Sequence, residues 1–222
     1  MIRSIFATLL GMCLLLAGMP STVAAADAML TDIQRTYDAM QRFNGEFTQE
    51  LQHLESGGVE RRQGVLTFEK PLRIRWETAE PFTELLLATD NDVWDYLPDE
   101  EVAYRYGLDV VKDSSSILKV ITGQSRLDTD FDVEREADRD GLAVYRLYPK
   151  NPTTQLVEAV LQFDPSTKLL RQAEIVDFYG NTNRITFTRL TPNAKIPAGT
   201  FQFTPPEGIS VEDRRGQPIE QH

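Results

Sequence analysis

The chain has 222 residues, with 23 Lys and Arg against 34 Asp and Glu, two His, one Cys and a formal net charge of −11 at pH 7. That acidic balance argues against nucleic acid and anionic membrane surfaces as partners. Two isolated histidines and a single cysteine supply metal chemistry poorly and leave no intramolecular disulfide.

Residues 1–26 read as an export signal, not as part of the fold. Arg3 supplies the positive start, residues 5–16 are almost wholly apolar, and Val23-Ala24-Ala25-Ala26 offers small residues for cleavage after Ala25 or Ala26. The apolar run falls short of the roughly 20 residues that a membrane span needs. Leu10-Gly11-Met12-Cys13 makes a poor lipid-attachment box, because bulky Met12 stands where a small residue is wanted. The mature chain is therefore expected to be one exported, unlipidated domain of residues 27–222. It would carry 22 basic and 34 acidic side chains, a net −12, and no thiol. Its core alone must hold it together, and its length suffices for one sizeable core. The expectation is a monomer that needs no metal and no cofactor.

Asp27 to Arg42 reads as a helix, because Met29, Ile33, Tyr37 and Met40 recur at spacings of four, four and three and form one apolar stripe. From Phe43 the character changes to strand after strand. Phe43–Leu54, carrying Phe47, turns at Ser56-Gly57-Gly58 into Val59–Glu69. In Gly64–Trp76 two alternating arms meet at a proline: Leu66 and Phe68 on one side, Ile74 and Trp76 on the other. Period-two alternation puts the apolar side chains of each arm on one sheet face. Pro71 cannot donate to a ladder, so the chain bends there and Lys70 sits at the corner. The strand Pro71–Thr78 is followed by Phe82–Thr89, with Leu85 and Leu87, then Val93–Leu97, with Trp94 and Tyr96, then Val102–Tyr106. Asp90-Asn91-Asp92 between them is explained by turn chemistry without a calcium ion, and His53 by an ordinary surface position.

Residues 108–127 interrupt the meander. Ser114-Ser115-Ser116 can cap a short helix over Ile117, Leu118 and Ile121, which Gly123 stops. A stabilising plug and a movable flap are equally compatible with this amphipathic insertion. Strands then resume as Asp130–Ala137, Leu142–Tyr148, Leu156–Asp164, Leu169–Tyr179 and Asn183–Leu190, with a last short strand at Phe201–Gly208 before a proline stop.

Eleven or twelve strands with turns every eight to twelve residues predict an antiparallel meander. So long a sheet must curl to bury its face. The fold class is mainly β, an incomplete barrel with an apolar concave face and helices lying across its mouth. No nucleophile elbow, phosphate loop or His-Glu-x-x-His motif is present, so an enzyme is not expected. Same-face spacing nominates Phe47, Leu66, Phe68, Ile74, Trp76, Leu85, Leu87, Trp94 and Tyr96 as the lining of the concavity. Met29, Ile33, Tyr37, Ile117, Leu118 and Ile121 are nominated as its lid.

The run Gly64-x-Leu66-x-Phe68-x-Lys70-Pro71, with Trp76 five residues on, resembles the signature of the periplasmic lipoprotein carriers of the LolA family. The strand Val93-Trp94-Asp95-Tyr96 and the ending Phe201-x-Phe203-Thr204-Pro205-Pro206-x-Gly208 fit the same family, and the resemblance extends over most of the mature chain. It implies a half-barrel with a helical lid that takes acylated lipoproteins from an inner-membrane ABC transporter to an outer-membrane receptor. It also implies that the basic residue before the proline, usually Arg and here Lys70, latches the lid by reaching its backbone carbonyls. The outer-membrane receptor has a similar fold but is itself a lipoprotein, which the poor lipid box disfavours. A periplasmic binder of another small hydrophobic ligand fits the physics equally and lacks only the motif match.

Overall fold

The computed structural model describes residues 27–112 and 117–216, with the side chains of Lys112 and Ile117 outside that description. The export signal, the Ser114–Ser116 cap, the Ile117 side chain and His222 therefore lie outside the described residues.

Among the described residues one helix precedes the strands. Helix α1 spans Ala28–Ala39, and Asp27 caps it, its Oδ1 accepting from the N–H groups of Met29 (2.9 Å) and Leu30 (3.4 Å). Six strands follow: β1 (Arg42–Gln52), β2 (Val59–Glu69), β3 (Arg73–Glu80), β4 (Glu84–Ala88), β5 (Val93–Leu97) and β6 (Val102–Tyr106). Three short helices fill the interruption: α2 (Asp109–Lys112), α3 (Ile117–Ile121) and α4 (Leu127–Asp130). Gly123, at φ +69°, ends α3 as its sequence position suggests. The second block is β7 (Phe131–Arg135), β8 (Ala143–Pro149), β9 (Glu158–Phe163), β10 (Leu170–Val176), β11 (Thr182–Pro192) and β12 (Ser210–Asp213).

All twelve strands form one sheet in the order β12-β6-β5-β4-β3-β2-β1-β11-β10-β9-β8-β7. The two blocks meet where β1 pairs antiparallel with β11. Because β7 and β12 are left at opposite edges, the sheet curls without closing. The incomplete barrel is thus present as expected.

Two expectations shift. The final strand is not at Phe201–Gly208, where Pro205 and Pro206 lack the donors a ladder needs. It forms instead at Ser210–Asp213 and pairs parallel with β6. The third strand begins at Arg73, since the chain from Lys70 to Leu72 is spent turning the corner.

The concave face is apolar from β6 to β8 apart from the buried Asp95 and Thr78. Cross-strand partners share a face, so the register Phe68, Ile74, Ala88, Val93, Tyr106 and the register Leu66, Trp76, Leu86, Asp95, Tyr104 both run along the inside. In the other block Ile185, Ala173, Leu161 and Tyr145 form the matching inner row. Gly64 permits tight curvature here: a Cβ would stand 1.9 Å from the Glu77 carbonyl oxygen and 2.8 Å from the Phe47 ring. The outer face at the seam of the two blocks carries a charge ladder, with Glu174, Arg184, Glu50 and Arg61 side by side across four strands.

Candidate functional site

The candidate site is the concave face and the helix that covers it. Phe47, Leu66, Phe68, Ile74 and Trp76 all lie inside, buried in one continuous core with Phe43 and Phe187. Phe47 and Trp76 pack tilted against each other at 4.6 Å between ring centroids, and Phe43 touches Phe68 at 5.4 Å.

Leu85, Leu87, Trp94 and Tyr96 do not belong to this lining. Leu85 pairs with Tyr96 and Leu87 with Trp94, one residue out of step with Ala88 and Val93, so the pleat turns all four to the convex face. The C-terminal segment packs there on Trp94 and Tyr96, its Phe203 lying 5.5 Å from Trp94 and 5.2 Å from Tyr96. Arg105 caps the other side of Trp94, 5.4 Å from the ring. The sequence reading followed the bulkier alternating set of β5, when the smaller Val93 and Leu97 are the ones that point inward. Tyr104, Tyr106, Tyr145 and Phe163 are inner-face residues that reading missed. The alternation Val102-Ala103-Tyr104-Arg105-Tyr106 carried that signal for β6.

Helix α1 lies across the concave face. Ile33 and Tyr37 are buried, while Met29 and Leu30 pack partly buried against the same core. The Tyr37 ring meets Phe163 edge-on at 6.4 Å, and its hydroxyl accepts from the Leu170 N–H at 2.9 Å. Burial lifts the Tyr37 phenol well above its ordinary pKa, against a smaller opposing effect of the Leu170 hydrogen bond, so it stays neutral. At the far end of α1 the Tyr145 hydroxyl donates to Asp27 Oδ2 at 2.8 Å.

The insertion packs inward as well. Ile121 and Val120 of α3 and Val111 of α2 are buried, and Leu118 is half-buried against the core. Gly123 lies so close to α1 that a Cβ would sit 2.0 Å from the Tyr37 ring. Where α1 and α3 meet β9 and β10, a crevice of only about 10 Å³ is left. There the concave face is filled by the protein's own helices.

Lys70 closes the arrangement at the C-terminal end of α1. Its Nζ donates to the carbonyl oxygens of Tyr37 (2.9 Å) and Asp38 (2.8 Å). Both carbonyls lie in the last helical turn, where no intrahelical donor follows. The last turn of α1 has no basic residue of its own, so a cation from the β2–β3 corner meets the negative end of the helix dipole. Among the described residues no three His, Cys, Asp or Glu side chains are grouped to hold a metal ion.

Comparison with known proteins follows the same lines. The family described as "Outer membrane lipoprotein carrier protein LolA" matches residues 38–204. An outer-membrane lipoprotein carrier protein of Bordetella avium is 26% identical over 196 residues, covering 88% of this chain and 92% of its own. Its counterpart from Xanthomonas campestris pv. campestris is 32% identical over 171 residues, covering 76% and 80%. Among solved structures, an uncharacterized conserved protein from Thermus thermophilus shares the fold, with a TM-score of 0.54 at 10% identity over 84% of this chain and 97% of that one. A half-barrel filled by its own helices, with a basic residue on the helix-end carbonyls and a match over residues 38–204, places this chain in the LolA family of outer membrane lipoprotein carrier proteins.

Proposed function

We propose that the mature protein is a monomeric periplasmic chaperone. It accepts acylated lipoproteins released from the inner membrane by an ABC transporter and carries them to an outer-membrane receptor. The observation that carries this reading is the apolar concave face covered by a helix that is fixed at its end by Lys70. The names of the relatives, lipoprotein carriers, support the same cargo.

The energetics suit the task. Each buried methylene gains about 0.8 kcal/mol, so acyl chains cannot cross water unescorted. In the empty protein the helices occupy the lining, and cargo must displace them. Their displacement offsets part of the acyl-chain binding energy and keeps release possible. Direction then comes from affinities that rise from donor to carrier to receptor. In this reading Phe47, Leu66, Phe68, Ile74 and Trp76 receive the acyl chains, α1 and α3 form the lid, and Lys70 latches it.

The test is copurification. Mature protein isolated from the periplasm of cells making a tagged lipoprotein should carry triacylated cargo, seen by mass spectrometry, and should pass it to receptor-bearing outer membrane. Recovery of a different small hydrophobic ligand in place of acylated protein would reject the carrier reading.

A further inference from the structure

The edge strand β7 and the lid helix enclose a groove of about 860 Å³, outside the filled interior. One wall is α1, through Leu30, Thr31 and Gln34; the other is β7, through Phe131, Asp132 and Val133. Among the described residues the backbone of β7 is half used. The Lys150 N–H donates to the Asp130 carbonyl and the Glu136 N–H to the Val144 carbonyl. In an antiparallel ladder this parity turns the even-numbered residues toward β8 and the N–H and C=O groups of Phe131, Val133 and Arg135 toward the groove. An open edge of this kind is a template for one more strand.

Two further features define the occupant. Phe131 and Leu30 belong to the groove wall and also pack in the core, so the groove borders the apolar interior. Its charged rim holds Asp27, Asp38, Asp128, Asp132 and Glu134 against Arg35, Arg126 and Lys150, an excess of negative charge.

We propose that this groove binds the polypeptide of the cargo itself: the extended segment that follows the acylated residue, laid antiparallel or parallel on β7 as a thirteenth strand. This rests on the carrier reading above. Acyl chains inside the concavity and a polypeptide outside it need one exit, and the slot between α1 and the sheet edge borders both. Backbone pairing makes the recognition tolerant of sequence, as a carrier of many different proteins requires, while the acidic rim favours segments free of acidic side chains.

Two synthetic probes test it: a triacylated cysteine extended by six neutral residues, and the same triacylated cysteine as a methylamide. Val133→Pro removes an N–H that faces the groove and leaves the bonds to β8 in place; Val133→Ala controls for the side chain, and thermal melting controls for the fold. The parent and Val133→Ala should bind the extended probe about tenfold tighter than the methylamide, the advantage expected of a few added backbone hydrogen bonds. Val133→Pro, or N-methylation of alternate probe residues, should abolish that advantage and leave methylamide affinity unchanged. Equal affinity of the parent for both probes would overturn the proposal, as would an advantage that survives Val133→Pro. A concentration-dependent dimer lost in Val133→Pro would assign the edge to a second copy instead and overturn it as well. If the parent binds neither probe, the carrier reading itself fails, a result distinct from all of these.

Discussion

The hydroxyl of Tyr37 accepts a hydrogen bond from the backbone N–H of Leu170, 2.9 Å away, and so ties the lid helix to the start of β10 inside a sealed interior. Removing the hydroxyl leaves a buried donor without a partner, which costs about 1–3 kcal/mol. Tyr37→Phe should lower stability by that amount in urea denaturation and should speed acyl-probe uptake, because the filled state loses a tie. A variant as stable as the parent would mean that water replaces the hydroxyl.

Lys70 makes the second tie. Lys70→Leu leaves two helix-end carbonyls without their cation, and the expected loss is on the order of 1 kcal/mol for a partly exposed pair of hydrogen bonds. The larger effect should be on transfer. With the covered state less favoured, cargo is held more tightly and handed on poorly, and Lys70→Arg restores delivery through its five donors. A transfer assay in which the Leu variant delivers cargo like the parent would remove Lys70 from the mechanism.

The two tryptophans lie on opposite faces, and this separates them experimentally. Trp76 is inside and Trp94 outside under Phe203. In the Trp94→Phe variant the remaining Trp76 emission should shift when a fatty-acyl probe binds. In Trp76→Phe the remaining Trp94 should not respond. The opposite pattern would relocate the binding face to the convex side.

Gly123 tests how closely the lid is seated. At φ +69° an L side chain is strained, and a Cβ there would also lie 2.0 Å from the Tyr37 ring. Gly123→Ala should destabilise by about 1–3 kcal/mol and displace α1, read as faster proteolysis or hydrogen exchange in residues 27–39. Unchanged exchange in that helix would show that α3 moves away instead.

The β9–β10 turn supplies a pH signature. Hydrogen bonds from the Ser166 hydroxyl, and from the backbone N–H groups of Thr167 and Ser166, lower the Asp164 pKa to about 2. A carboxylate with a depressed folded-state pKa contributes stability that is present above its unfolded value of about 3.9 and lost as pH falls toward 2. Replacing Asp164 by Asn should lower stability at neutral pH and flatten the acid decline between pH 4 and 2. An acid limb of unchanged slope would assign the decline to other carboxylates.

Much of this architecture is legible in the sequence, because period-two alternation and turn residues are local. The stripe Met29, Ile33, Tyr37 defines α1, and Gly64 to Trp76 defines a hairpin and its inner face. What local pattern cannot give is which of two alternating sets faces inward when both are apolar. In β5 that choice was set by a segment more than a hundred residues away, since Phe203 offers Trp94 and Tyr96 cover on the convex side. The same non-local pairing decided the last strand: Ser210–Asp213 has no apolar pattern and exists because β6 presents a free edge to it. The groove beside β7 was equally invisible, being a property of what the edge leaves unpaired.

The position of α1 in the chain has a mechanical consequence. The helix runs directly into β1, the strand at the seam of the two blocks, through Met40 and Gln41. Gln41 is pinned on both sides: its N–H donates to Asn193 Oδ1 (3.1 Å), and its carbonyl accepts from the Lys70 N–H (2.9 Å). This is a fulcrum at the centre of the bowl, with twelve residues of lever beyond it. At 1.5 Å per residue the arm is about 18 Å long, so a rotation of about 20° carries its tip roughly 6 Å. The tip is Asp27, and the contact that parts first is the one with Tyr145 on β8. On the carrier reading proposed above, such a rotation would open a gap about the width of a hydrocarbon chain, farthest from the pivot and beside the β7 edge of the sheet.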